Sequence, residues 1–90
     1  MKKFTMIAEF RGCTLVSQYY AHTVDEAIME WAENLDSQYF SEKEKRKIMK
    51  ELKEWGDEIP PVLLNGMTNV WFKRIIVYRR TVYMNIVETV

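Results

Sequence analysis

The stretch FKRIIVYRRTVYMNIV, residues 72–87, decides the architecture of this chain and raises its main question. Bulky apolar residues precede and follow an Arg-Arg pair, which predicts two β-strands joined at Arg79-Arg80 or at Arg80-Thr81. Both turns give the same two faces. One face holds Trp71, Lys73, Ile75, Val77, Val82, Met84 and Ile86, and the other holds Val70, Phe72, Arg74, Ile76, Tyr78, Tyr83, Asn85 and Val87. A surface hairpin needs only one apolar face, so something is expected to cover the second.

Residues 2–21 predict a second hairpin. Arg11-Gly12 forms its turn, because two-residue turns need a positive φ that glycine adopts readily. The resulting register gives one face to Phe4, Met6, Ala8, Phe10, Cys13, Leu15, Ser17 and Tyr19. The opposite face is mostly polar but includes Ile7, Val16 and Tyr20. Cys13 is interpreted as a small apolar residue that faces the core.

Two amphipathic helices are predicted between the hairpins, because the apolar period changes from 2 to 3.6. Thr23 with Glu26, and Ser41 with Glu44, have the spacing of capping boxes, which satisfy backbone donors at a helix start. Gly56 is well placed to end the second helix. The buried stripes comprise Val24, Ala27, Ile28, Trp31 and Leu35 in the first helix, and Ile48, Leu52 and Trp55 in the second.

Each helix also carries a row of like charges. The first helix has an acidic edge, and the second has a basic one: Glu26, Glu30 and Glu33 against Lys43, Lys47 and Lys50. If the helices lie antiparallel, these edges can face one another. The alternative is that one edge binds a charged partner.

These elements predict a single α+β domain over residues 1–90, in the order β-β-α-α-β-β. The simplest arrangement is a four-stranded antiparallel sheet with both helices packed on one face. The residues between the second helix and the last hairpin form a turn-rich connector with Pro60, Pro61 and Asn65-Gly66. The strand order is left open by these patterns.

The composition narrows the class of protein. The chain has 90 residues, 48% of them hydrophobic, and 13 acidic against 13 basic groups. A neutral balance argues against a protein that coats DNA or anionic membrane. We expect no secretory signal, no membrane span and a cytoplasmic location, which a single cysteine also favours.

Catalytic and metal-binding motifs are scarce. His22 stands beside a helix cap, with no nucleophile in the pattern around it, and is interpreted as a surface residue. One cysteine and one histidine cannot supply a zinc site. The sequence has no Gly-rich phosphate loop. We therefore expect a protein that is not an enzyme and has no cofactor and no metal.

The second face of the last hairpin is the candidate binding surface. With the outer residues of the first hairpin it predicts an apolar and aromatic interface made of Phe72, Arg74, Ile76, Tyr78, Tyr83, Val87, Ile7, Val16 and Tyr20. We favour a homodimer in which the same face of a second copy covers this surface. The other covers are the Pro-rich connector, a different protein, and single-stranded nucleic acid stacked on the aromatic rings, which the neutral charge disfavours.

Residues 4–35, FTMIAEFRGCTLVSQYYAHTVDEAIMEWAENL, resemble the opening hairpin and first helix of HicB-type antitoxins. The Pro-Asp-Leu-Pro-Gly segment that those proteins carry before the helix is missing, and the resemblance covers about a third of the chain. The whole chain, with its NVWF and NIVET segments, is similar to small uncharacterised proteins of bacterial accessory genes and mobile elements. Some immunity-type proteins share its layout. The resemblance implies a binding protein rather than an enzyme.

Overall fold

The computed structural model describes residues 1–55, except the side chain of Trp55, and residues 60–89. The strands are β1 (Lys2–Phe10), β2 (Cys13–Ala21), β3 (Val62–Leu63), β4 (Val70–Val77) and β5 (Arg80–Thr89). The helices α1 (Val24–Glu33) and α2 (Glu42–Trp55) lie between β2 and β3 in the chain. The predicted helix end at Gly56 falls outside the described residues.

The strands form one sheet in the order β2-β1-β5-β4-β3, and all neighbours are antiparallel. The α+β class and the antiparallel sheet are confirmed, but the prediction of four strands is wrong. The fifth strand belongs to the Pro-rich connector, where Val62 pairs with Phe72 and Leu63 with Trp71. A two-residue strand is too short to show alternation, so the sequence pattern did not reveal it.

The first hairpin has the predicted turn and register. Phe10 pairs with Cys13, and the ladder continues without a bulge until Lys2 pairs with Ala21. Arg11 and Gly12 have φ values of 53° and 76°, which suit a turn that follows the twist of the strands. Cys13 is exposed instead of facing the core. The core-facing side of β2 is covered only from Leu15 onward.

The last hairpin turns at Tyr78-Arg79, earlier than either predicted position, with Val77 opposite Arg80. The shift moves each cross-strand partner by an even number of positions, so the strand residues keep their predicted faces. Tyr78 has a φ of 59°, and Lys43 Nζ of α2 lies 5.1 Å from the centre of its ring. The sequence of the turn alone does not reveal this contact with the helix layer.

The helices cover one face of the sheet and enclose the core. Most residues of the predicted core are buried: Phe4, Met6, Phe10, Ile28, Trp31, Ile48, Leu52, Ile75, Val77, Met84 and Ile86. Leu15, Val24 and Leu35 are half-buried, and the side chain of Trp55 lies outside the described residues. Phe40 is also buried, although no periodic pattern includes it. Its ring stacks on Phe10 at 4.8 Å and meets the edge of Trp31 at 6.2 Å. Phe40 thus joins the turn end of the sheet to α1, directly before Ser41, which caps α2.

Both helices begin at the predicted caps. Ser41 Oγ accepts from Glu44 N at 3.1 Å, and Glu44 Oε1 accepts from Ser41 N at 2.8 Å, which completes one capping box. Thr23 Oγ1 accepts from Glu26 N at 3.2 Å, but the Glu26 carboxylate accepts from His22 N, one residue before the cap. Buried Glu44 also pairs with Arg11, so α2 is tied to the turn of the first hairpin.

The charged edges of the helices lie on opposite flanks and do not face one another. Lys47 Nζ pairs with Glu51 of its own helix at 2.8 Å, and this hydrogen bond raises the pKa of Lys47. On the other flank, Glu26 and Glu30 line a depression with Tyr20 of β2. The helix layer is therefore acidic beside β2 and basic beside the turn between β4 and β5.

Candidate functional site

The candidate site is the outer face, which is the side of the sheet turned away from the helices. Eight of the nine predicted interface residues lie on it: Ile7, Val16, Tyr20, Phe72, Arg74, Ile76, Tyr83 and Val87. Val16, Ile76 and Tyr83 are 64%, 57% and 48% exposed, which is high for large apolar or aromatic side chains. Ile7, Phe72 and Val87 are half-buried.

One row of the outer face crosses all five strands. Its members, in spatial order, are Val16, Ile7, Asn85, Phe72 and Val62. The row is symmetric in character about Asn85, because two apolar residues stand on each side of the amide.

The neighbouring row carries an aromatic residue between opposite charges. Glu9, Tyr83 and Arg74 are consecutive cross-strand neighbours on β1, β5 and β4. The Tyr83 ring stacks on Phe72 with 6.3 Å between ring centres and 26° between ring planes. Tyr83 thus joins this row to the long apolar row.

Tyr78 is the predicted interface residue that the outer face does not include. It lies in the turn with its ring beneath Lys43, next to the helix layer. Tyr20 lies at a corner, where Lys3 Nζ is 5.9 Å from the centre of its ring. The aromatic part of the outer face is therefore centred on Phe72 and Tyr83 alone.

Polar residues interrupt the predicted continuous apolar surface. Gln18 Nε2 donates to Thr5 Oγ1 at 3.0 Å, and Thr5 Oγ1 lies 2.7 Å from Thr89 Oγ1. This chain of hydrogen bonds separates Tyr20 from the long apolar row. Sequence alternation placed these residues on the face but did not distinguish the polar corner from the apolar centre.

The described part of the connector does not cover the outer face. Its strand β3 joins the edge of β4 and extends the face by one more strand. Val62 was missed in the sequence because it stands directly after two prolines, yet it is 61% exposed at the end of the long row. The connector therefore enlarges the apolar surface.

Cys13 and His22 stand near opposite ends of β2, so they do not share a site. Eight strand steps separate Cys13 from Ala21, or about 26 Å at the usual rise per residue. Lys73 is buried on the helix side of the sheet, and its burial lowers its pKa, while Asp25 acts in the opposite direction. Within residues 1–55 and 60–89 no group of three His, Cys, Asp or Glu side chains is arranged to hold a metal ion.

Comparisons of the chain with protein-family models, with curated proteins and with solved structures give no match. Among the described residues, neither helix has the length and apolar character needed to cross a membrane.

Proposed function

We propose that this protein is a small non-enzymatic interaction module that forms a homodimer by packing two outer faces together. The observation that supports this proposal is the symmetric row through Asn85. A twofold axis that runs along β5, between the two sheets, would place each residue against the residue at the mirrored distance from β5. Ile7 would then meet Phe72 of the second copy, Val16 would meet Val62, and the two Asn85 amides would meet on the axis.

The neighbouring row is complementary about the same axis. Tyr83 would pack on its own copy, and Glu9 would lie opposite Arg74 of the second copy. Opposite charges that meet at an interface favour one register over others, and pairing removes the penalty of burying an arginine alone. Two adjacent rows therefore favour the same axis.

A stable dimer of this kind must bury most of the outer face. At a spacing of about 4.8 Å and a rise of about 3.3 Å per residue, the four long strands span roughly 19 Å by 28 Å. A standard interface buries about 800 Å² of accessible surface on each partner. The accessible surface of the face is larger than this projected area, because side chains protrude from the sheet. The face can therefore bury the area of a standard interface only when all four long strands take part.

Tyr83→Glu tests the proposal. A carboxylate at this position is expected to convert the dimer to a monomer in sedimentation at about 20 μM, because the proposed axis would bring the two copies of the carboxylate together, and like charges oppose association. Tyr78→Glu is a matched control, since Tyr78 is 50% exposed but lies off the face. A monomeric unmodified protein, or a dimer that persists in Tyr83→Glu, would show that the outer face is not a self-association surface.

The proposed axis has a charge-exchange test of its own. Arg74→Glu places two carboxylates opposite one another in the dimer and should weaken it. Adding Glu9→Arg restores opposite charges across the axis, so the double variant should dimerise again. Failure of the second substitution to restore the dimer would exclude this register.

A second candidate function is binding of single-stranded nucleic acid. The stacked Phe72 and Tyr83 rings beside Arg74 favour it, because bases stack on aromatic rings and arginine pairs with phosphate. A fluorescent oligothymidylate should then bind in about 50 mM salt and dissociate as salt rises, with Tyr83→Ala and Arg74→Ala both weakening it. Absence of binding at low salt would remove this candidate.

The resemblance of residues 4–35 to HicB-type antitoxins, and of the whole chain to bacterial accessory-gene proteins, agrees with a binding role. The single cysteine agrees with a cytoplasmic location.

A further inference from the structure

The free edge of β2 is the other unusual feature of the sheet. In residues 1–55 and 60–89 the only strand that pairs with β2 is β1. β2 has nine residues, CTLVSQYYA, with no charge and no proline, and its ladder has no bulge. Charged side chains, prolines, bulges and short strands are the devices that usually keep an edge from pairing with another chain. The β2 edge has none of them.

The hydrogen-bonding groups of this edge follow from the hairpin register. In a two-residue hairpin the residues that flank the turn form a hydrogen-bonded pair, and such pairs then alternate along the ladder. Residues 13, 15, 17, 19 and 21 therefore bond to β1. The N–H and C=O groups of Thr14, Val16, Gln18 and Tyr20 point outward, and all four residues are exposed.

Two pockets lie between this edge and the helix layer. At the turn end, a pocket of about 360 Å³ is lined by apolar and aromatic side chains that include Leu15, Leu35 and Tyr39. At the other end, a pocket of about 350 Å³ brings Glu26 and Glu30 beside Tyr20. No lysine or arginine side chain lines either pocket. Both pockets combine apolar and acidic side chains, with Asp36 in the first and Asp25, Glu26 and Glu30 in the second.

We propose that the β2 edge binds an extended segment of a different protein, which pairs as a sixth strand and carries a basic residue toward α1. The segment would place an apolar side chain near Leu35 and a lysine or arginine near Glu30. This inference names the partner class of the proposed interaction module, but it uses a surface separate from the outer face.

A second copy of this chain fits the edge less well. Pairing two β2 strands about a twofold axis would bring the two α1 helices side by side. α1 carries four acidic residues, Asp25, Glu26, Glu30 and Glu33, and no basic one, and like charges in contact oppose association. An extended basic segment brings no helix and complements the charge.

The test uses the blocked heptapeptide Lys-Thr-Val-Thr-Val-Thr-Leu, labelled for fluorescence anisotropy. The peptide is designed to pair antiparallel with β2, with position one opposite Ala21 and position seven opposite Leu15. The side chains at odd positions then face the helix layer, and the N–H groups at even positions point toward β2. N-methylation at positions four and six should abolish binding, whereas N-methylation at positions three and five, whose N–H groups point away, should be tolerated. Equal effects of the two methylated peptides would overturn edge pairing.

Protein variants test the same geometry. Gln18→Pro removes an outward N–H and should abolish peptide binding, while Gln18→Ala keeps that N–H and should bind. Glu30→Arg should weaken binding about fivefold, the scale of one exposed ion pair, and Glu33→Arg, which lines neither pocket, should change it less than about twofold. Circular dichroism checks folding, and should Gln18→Pro unfold, the methylated peptides still decide the question.

The proposed dimer and the proposed strand pairing at the β2 edge can be tested independently. Tyr83→Glu should abolish self-association but leave peptide affinity unchanged, because the peptide uses backbone groups on β2. If Gln18→Pro dissociates the dimer and Tyr83→Glu does not, the edge is occupied by a second copy, and the proposed partner is wrong. If the peptide with glutamate in place of lysine binds equally well, the basic chemistry of the partner is wrong.

Discussion

The two hairpins of this protein are similar in length but differ in how their free sides are protected. β4 of the last hairpin is capped by the two-residue strand β3, which follows Pro60-Pro61, so that edge ends in a short strand. β2 of the first hairpin ends the sheet on the opposite side, and its nine uncharged residues pair with β1 but with no other described strand. In the described residues β3 pairs with β4 only at Trp71 and Phe72, and the rest of the β4 edge carries the charged residues Lys73 and Arg74, whereas the β2 edge carries no charge. This difference in charge is why the proposed strand pairing uses the edge of β2. The last hairpin contributes the aromatic part of the outer face.

The hairpins also differ in how they are anchored to the helices. The turn of the first is held by Arg11, which pairs with buried Glu44 at the start of α2. The turn of the last is held by the contact of Tyr78 with Lys43, a more exposed pair on the basic flank. Three predictions measure how far this asymmetry extends, in order of decreasing effect.

Glu44→Ala should have the largest effect. The substitution removes a capping interaction worth about 1 kcal/mol and also the buried partner of Arg11. Because Arg11 is 46% exposed, water can solvate its guanidinium after the substitution, which reduces the cost of losing the ion pair. We expect the free energy of unfolding in denaturant to fall by about 2–3 kcal/mol.

Glu42→Ala is the control for this prediction, because exposed Glu42 pairs only with Lys45 at i,i+3, 3.3 Å away. It should cost less than about 0.5 kcal/mol. A Glu44→Ala variant as stable as Glu42→Ala would show that the first hairpin is not anchored through this carboxylate.

Gly12→Ala should have an intermediate effect. Gly12 has a φ of 76°, and a Cβ atom built there meets nothing within 4 Å, so the cost is that of the backbone conformation alone. We expect a loss of about 1–2 kcal/mol in the free energy of unfolding.

Gly12→Asn is the matched control, since asparagine tolerates the left-handed region, and it should recover part of the loss. Equal losses for alanine and asparagine would contradict the backbone explanation. Chemical denaturation followed by tryptophan fluorescence measures both variants.

The same comparison explains how much of the molecule could be predicted from its sequence. The first hairpin was predicted to the residue because Gly12 fixes its turn and alternation fixes its faces. The last turn was misplaced because its position depends on Tyr78 packing under Lys43, a contact between residues 35 positions apart in the chain. The strand residues were still assigned to the correct faces, because the partners moved by an even number of positions and strand alternation has a period of two.

The candidate site was predicted less completely than the fold. Alternation identified the outer residues of the two hairpins, and eight of the nine lie on the outer face. It could not reveal the row through Asn85, because that row depends on strand order and includes Val62 of β3. The open edge of β2 was hidden for the same reason, since an edge exists only once the neighbours of each strand are known.

The smallest predicted effect concerns charge on the core-facing sides of the hairpins. On that side β1 carries exposed Lys2 at its start and only apolar residues from Phe4 to Phe10, whereas β4 carries Lys73, which is 6% exposed. Burial lowers the pKa of Lys73 below its usual 10.5, and Asp25 partly opposes the shift. The unfolded chain therefore binds this proton more tightly, and the contribution of Lys73 to stability rises as pH increases toward 10.5.

Lys73→Met should remove this dependence, because methionine has a similar length and no charge to desolvate. We expect the variant to be more stable than the unmodified protein by about 1 kcal/mol near pH 7, with the difference narrowing by about pH 10. Urea unfolding at both pH values measures the two differences, and Lys50→Met, at an exposed position of α2, is the control. A difference between Lys73→Met and the unmodified protein that stays constant with pH would mean that Lys73 is not desolvated. The two hairpins would then be equivalent on their core-facing sides and differ only at their edges and turns.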